Sequence, residues 1–230
     1  MLKINEVFYS IQGESSWVGH PTVFVRTTGC NLRCTYCDTK YSYYEGNFQE
    51  TSTVLNEIAK HKTKFVCITG GEPLLQKEIF PLMDTLVSQG YQVSLETSGS
   101  KSIENVNPKV KTILDVKTPD SGAADSFLIS NLAFSNSLTE FKFVICSEND
   151  FKWSEEFCRQ HDLFGKFAVL YSPSYGAVSE RWLAEQILAK NSIARLQIQL
   201  HKKIWSPDAR GVWPVSYTHL RAHETVLDLV

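Results

Sequence analysis

The reading of this chain starts from one stretch, Thr22-Val23-Phe24-Val25-Arg26-Thr27-Thr28-Gly29-Cys30-Asn31-Leu32-Arg33-Cys34-Thr35-Tyr36-Cys37. Thr22 to Arg26 is a run of β-branched and aromatic residues and predicts a buried strand. The strand empties into a loop that carries thiols at positions 30, 34 and 37. Three cysteines so close together form a local chelate once the backbone curls around a metal centre. Cys67, Cys146 and Cys158 stand alone in apolar or helical surroundings and read as packing residues.

Outward from this stretch, similar runs recur at Phe65 to Thr69, Gln92 to Glu96, Thr112 to Val116, Glu140 to Ile145, Phe167 to Tyr171 and Leu196 to Leu200. Several are separated by helical patterns, as in Val54, Leu55, Ile58 and Ala59, in Ile79, Phe80, Met83 and Val87, and in Trp182, Leu183, Ile187 and Leu188. Alternation of strands and helices predicts an α/β fold with parallel βα units. Seven strands fall short of the eight of a closed barrel, so the expected architecture is a partial, open TIM-like barrel. The chemically distinctive residues follow the strands: Thr28 to Cys37, Gly70 to Pro73, Glu96 to Gly99, Lys117 and His201. In a barrel, that end holds the active site.

The composition fits one globular domain: 230 residues, 43% hydrophobic and 21% charged. A formal charge of -2 gives no broad basic footprint, so a nucleic-acid partner is not expected. No stretch approaches the ~20 apolar residues of a membrane span, and the N-terminus lacks the apolar run of a signal peptide. A cytoplasmic protein is expected, in a compartment that keeps thiols reduced.

Three thiolates suit three corners of a cubane 4Fe-4S cluster and leave one iron open to an exogenous ligand. The alternative is a zinc site completed by His20, which makes the chain a zinc-stabilised binding module. By itself Gly70-Gly71-Glu72-Pro73 reads as a turn. The combination of Cys-x-x-x-Cys-x-x-Cys after one strand and this tetrapeptide after the next resembles the radical S-adenosylmethionine (SAM) superfamily. Within it, Phe8-Tyr9-Ser10-Ile11-Gln12-Gly13-Glu14, Arg26, Cys37-Asp38-Thr39, Glu96-Thr97-Ser98-Gly99 and Gln199-Leu200-His201-Lys202 resemble the 7-carboxy-7-deazaguanine synthase family.

The resemblance implies a radical ring contraction of 6-carboxy-5,6,7,8-tetrahydropterin to 7-carboxy-7-deazaguanine with loss of ammonia, on the way to queuosine and other 7-deazapurines. It implies Cys30, Cys34 and Cys37 as cluster ligands and Thr39 as a magnesium ligand. Substrate binding is expected at Ile11, Gln12, Gly13, Glu14, Arg26, Thr69 and His201. SAM is expected at Tyr36, Cys37, Asp38, Gly71, Glu72, Asp115 and Lys117, with Glu96 either binding SAM or capping the next turn. Many relatives carry Ser-Pro-Lys where this chain has Asp115-Val116-Lys117, so only Lys117 carries over by identity. A homodimer and a flavodoxin- or ferredoxin-type reductant are also implied. A glycyl-radical-activating enzyme shares the two central motifs and is the enzymatic alternative, against which the Gln12-Gly13-Glu14 element argues.

The family pattern ends near Val212. Residues Val215 to Val230 resemble a translated sequencing-adapter read, so residues 1–212 are expected to form the barrel domain and 213–230 a non-native tail. The alternative is a genuine C-terminal helix.

Overall fold

The structure is a computed structural model and describes residues 1–205. The expected boundary at Val212 and the segment 213–230 lie outside the described residues.

Strand β1 (Leu2–Ile11) opens the chain, followed by β2 (Pro21–Thr27), the short β3 (Asn47–Gln49) and helix α1 (Thr51–Ala59). Next come β4 (Phe65–Gly70), α2 (Ile79–Ser88), β5 (Gln92–Thr97), β6 (Lys111–Val116), β7 (Glu140–Ile145) and α3 (Glu148–Gln160). The described part ends with β8 (Ala168–Pro173), α4 (Glu180–Ala189), the two-residue β9 (Arg195–Leu196) and α5 (His201–Ile204). The sheet order is β3-β1-β2-β4-β5-β6-β7-β8-β9, antiparallel at β3, β1 and β2 and parallel from β2 to β9. β3 and β9 end the order without pairing to each other, so the barrel is open.

Side chains alternate across each strand, which gives the sheet two chemically different faces. Val23, Val25, Val66, Ile68, Val93, Leu95, Leu114, Phe141 and Phe143 are buried within one hydrophobic core, which also takes Val54 and Ile58 of α1, Leu82 and Met83 of α2 and Leu183 of α4. The residues between them on the same strands, Arg26, Thr69, Glu96, Asp115 and Lys142, face the barrel interior. Caps set the helix starts on the second half of the sheet. Ser147 Oγ accepts from Asp150 N at 3.2 Å to open α3, and Ser179 Oγ accepts from Trp182 N at 3.1 Å to open α4. Such a cap contributes about 1 kcal/mol.

Six of the seven expected strands form within two residues of their expected bounds. The seventh, expected over Leu196 to Leu200, is a strand only at Arg195–Leu196. Beyond it the chain leaves the sheet: Gln197 N donates to Tyr171 O at 2.8 Å, and Leu200 N reaches across to Gly13 O at 3.0 Å. β1, β3 and α3 go beyond the expected elements. In β1 Lys3 stands between the buried Leu2 and Ile4, and a register irregularity between Ile4 and Glu6 precedes Glu6, which lines the cavity.

Candidate active site

A cavity of about 660 Å³ lies at the C-terminal ends of the parallel strands. Its walls are the interior faces of neighbouring strands: Phe8 of β1, Arg26 of β2, Thr69 of β4, Glu96 of β5, Asp115 of β6 and Lys142 of β7. Register holds them in one belt, since Arg26 pairs with Thr69 and Asp115 with Lys142.

On one side the cavity is closed by the segment leaving β1. Ile11, Gln12, Gly13 and Glu14 all line it, with His201 against them. A Cβ at Gly13 would sit 2.1 Å from His201 Nδ1, so this close approach requires glycine. Gln12 Oε1 accepts from Glu14 N at 3.1 Å, and Gln199 Nε2 donates to Glu14 Oε1 at 2.6 Å. The second Glu14 oxygen pairs with Lys142 Nζ, which also reaches Asp115 Oδ2 at 3.4 Å. Burial is the largest influence and pushes Glu14 up, but Lys142, His201 and Gln199 together outweigh it and leave the carboxyl below its ordinary range. Burial likewise opposes the Lys142 ammonium, and Glu14, Asp115 and Glu96 together raise it above the usual lysine value.

Glu96 behaves differently. It accepts from Thr69 Oγ1 at 2.9 Å and from Gln12 Nε2 at 3.5 Å. Burial and the neighbouring Glu14 push its pKa up. Its carboxylate lines the cavity, with Thr69 and Gln12 among its side-chain partners. Arg26 Nε donates to Glu6 Oε1 at 2.7 Å, and its guanidinium lies over the Phe8 and Tyr41 rings at 5.7 and 5.9 Å. These contacts hold the planar fork against the cavity while its Nη atoms make no hydrogen bond among the described residues.

The opposite side is the cysteine loop. Cys37, Asp38, Thr39 and Tyr36 line the cavity, and Cys30 and Cys34 are half-buried behind them. Burial pushes the Cys30 and Cys34 thiols up, and Lys117 pulls the other way on both. Lys117 Nζ pairs with Asp115 Oδ1 at 3.0 Å and lies 5.7 Å from the Tyr36 ring centre. Asp38 is held by Lys202 at 2.8 Å. The Tyr36 hydroxyl is buried with no hydrogen-bond partner among the described residues. Three thiols on one loop, with a lysine beside them and an unpartnered tyrosine at the cavity wall, suit a cluster and the ligand it holds.

The Gly70-Gly71-Glu72-Pro73 loop packs onto the cysteine loop. Glu72 N donates to Gly29 O at 2.8 Å, and a Cβ at Gly71 would fall 2.2 Å from that same carbonyl oxygen. Gly71 lines the cavity; Glu72 does not. Glu72 is fully buried, and its carboxylate accepts from Leu74 N, Thr97 Oγ1, Ser98 N and Ser98 Oγ at 2.6 to 3.1 Å. Those four donors occupy the carboxylate, which braces the loop against the end of β5. Lys117 is also set back from the cavity, tied to Asp115.

His20, the fourth ligand of the zinc alternative, stacks on Phe65 at 4.2 Å at the other end of the strands. The seven residues of β2 separate it from the thiols, about 20 Å of extended chain.

The radical SAM superfamily profile matches residues 24–113. The 7-carboxy-7-deazaguanine synthase of Chlorobaculum tepidum is 40% identical over 214 residues, covering 92% of this chain and 97% of that protein. The chain belongs to the 7-carboxy-7-deazaguanine synthase family. A second member, from Koribacter versatilis, is 41% identical over 226 residues and covers 92% of this chain and all of that protein. The crystal structure of QueE from Escherichia coli superposes with a TM-score of 0.72 at 25% identity, covering 87% of this chain and 94% of that one. Membership in this family sets aside both the zinc module and the glycyl-radical activase.

Local pattern reading missed Lys142. Its signal is a charge at an alternate position of a buried apolar run, flanked by Phe141 and Phe143.

Proposed function

We propose that this cavity is the site at which 6-carboxy-5,6,7,8-tetrahydropterin is contracted to 7-carboxy-7-deazaguanine with release of ammonia. The observation that carries the reading is the convergence of two chemistries on one cavity: a cysteine and glycine loop on one wall, and the Gln12, Glu14, Arg26 and His201 set on the other. A bound 4Fe-4S cluster and SAM would supply the radical chemistry, a hydrogen-atom abstraction at carbon 6 of the pterin.

The protein binds, orients and excludes water. Cys30, Cys34 and Cys37 would hold the cluster. Tyr36, Asp38, Gly71 and Asp115 face SAM, and Glu72 acts through the loop it braces. Arg26 presents a planar donor pair to the substrate carboxylate, with His201 as a second donor. Burial pushes the His201 pKa down, while Glu14 pulls the other way. Gln12 and Glu14 offer donors and acceptors to the pterin edge, while Ile11, Gly13 and Thr69 complete its surroundings. Glu96 has its pKa raised and lies between the two walls, where it can hold a proton against a ring nitrogen.

The proposal extends to Mg²⁺ at the Thr39 hydroxyl with substrate oxygens and water, which suits a hard cation. It also extends to a homodimer in the cytoplasm served by a flavodoxin- or ferredoxin-type reductant. No helix among the described residues is long and apolar enough to cross a membrane. Anaerobic turnover of the reconstituted full chain with the carboxypterin, SAM, Mg²⁺ and a low-potential reductant tests the reading. Formation of 7-carboxy-7-deazaguanine and ammonia is expected. A fully loaded cluster that cleaves SAM but leaves the carboxypterin intact overturns it.

A further inference from the structure

Lys142 is a charged residue of the cavity wall that the motifs leave without a role. It stands mid-strand in β7, between the fully buried Phe141 and Phe143 on the other face. A buried ammonium costs several kcal/mol unless it is paired and hydrogen-bonded. Its partners come from distant parts of the chain: Glu14 beyond β1, and Asp115 on β6. Among the described residues, Lys142 is the one cation ion-paired to Glu14. The other nearby cations are committed elsewhere, Lys117 to Asp115, Lys202 to Asp38 and Arg26 to Glu6.

This arrangement fixes both the charge and the direction of Glu14. One carboxylate oxygen takes Lys142 and the other takes Gln199, and the group still lines the cavity. An ionised carboxylate offers about four acceptor sites, so lone pairs remain for a ligand. Two adjacent N–H donors on a planar ring, such as a ring N–H beside an exocyclic amino group, match such an acceptor. A Glu14 that lost its charge would present a hydroxyl donor to those N–H groups instead.

We propose that Lys142 is a positioning residue that holds Glu14 ionised and aimed at the aminopyrimidine edge of the pterin, and that it thereby sets the preference for a ring bearing the 2-amino group. This rests on the carboxypterin reading of the cavity. Lys142 acts through Glu14 and touches no reacting atom.

The test compares binding of 6-carboxy-5,6,7,8-tetrahydropterin with its 2-desamino analogue, by anaerobic calorimetry on the cluster-loaded full chain, alongside turnover. In Lys142→Met, affinity for the carboxypterin should fall about ten- to a hundredfold, the range of a lost charge-assisted hydrogen bond. The preference over the analogue should collapse with it, while iron content and SAM binding stay at wild-type levels. Lys142→Arg keeps the charge and should recover most of the preference. Lys142→Met with iron loaded and wild-type preference overturns the inference and leaves the functional reading standing. A wild-type chain that neither binds nor converts the carboxypterin removes both. Should Lys142→Met fail to fold because Glu14 is left uncompensated, Glu14→Gln and Glu14→Gln/Lys142→Met decide between the outcomes. Glu14→Gln alone should lose the preference, and adding Lys142→Met should change it less than about threefold, as coupled neighbours do. A further tenfold loss in the double variant shows Lys142 acting independently of Glu14 and overturns the inference.

Discussion

Two buried lysine–carboxylate pairs bridge β6 and β7 at opposite ends of the barrel interior, and they are put to different uses. At the N-terminal ends of the strands, Lys111 Nζ pairs with Glu140 Oε1 at 2.8 Å. Ser16 donates both its backbone N–H and its hydroxyl to the same carboxylate, and the Lys111 ammonium lies 5.4 Å from the Trp17 ring centre. Every partner there is protein, so this pair plugs the barrel floor. Four residues further along β6, about 13 Å of strand, Asp115 and Lys142 form the second pair, with Glu14 as third member. These groups line the cavity. The residue types are the same, and the difference lies in what completes their hydrogen bonding. The floor carboxylate is taken by Lys111 and Ser16, whereas the upper group keeps lone pairs toward a ligand.

The largest contrast is expected among the cysteines. Cys34→Ala should lose iron and turnover altogether while its melting temperature barely moves. Cys158→Ala, in the core on α3, should keep both and lose about 1 kcal/mol of stability. Full iron content and turnover in Cys34→Ala would falsify the ligand assignment. At the floor, Lys111→Met leaves Glu140 uncompensated and should cost about 3–5 kcal/mol in denaturant unfolding. Carboxypterin affinity of the remaining folded protein should stay at the wild-type level; a tenfold weaker affinity means the two ends are not separate. In the upper belt, Arg26→Ala should raise the KM for the carboxypterin about ten- to a hundredfold and leave SAM binding untouched, and an unchanged KM rules out the carboxylate role. The smallest effect is expected from ending the chain at Val212. Melting temperature and substrate affinity should equal or exceed those of the full chain, and unfolding on truncation identifies residues 213–230 as native structure.

The same comparison explains how much was legible beforehand. The parallel strands announce themselves because both faces of most are buried, and a run such as Phe65–Gly70 has no alternative reading. The cysteine loop is legible because its chelate is local. Glu14, Arg26, Thr69, Glu96 and His201 were singled out by resemblance, and they do line one cavity. Lys142 was not, because its partner Glu14 is far away in the sequence and a lone charge in an apolar run carries no periodic signal. β1 escaped for a related reason: its charged residues face the interior or the surface while Leu2 and Ile4 enter the core. Glu72 shows the converse limit. A motif names the residue, but only the folded neighbours reveal that Thr97 and Ser98 occupy its carboxylate.

The most direct measurement follows a label at carbon 6 of the substrate. Under anaerobic turnover with 6-deuterated carboxypterin, deuterium should appear in the 5'-methylene of recovered SAM, with 5'-deoxyadenosine well below one equivalent per product. Conversion to 7-carboxy-7-deazaguanine with SAM unlabelled contradicts the account, because the cavity would then not bring carbon 6 against the cofactor wall.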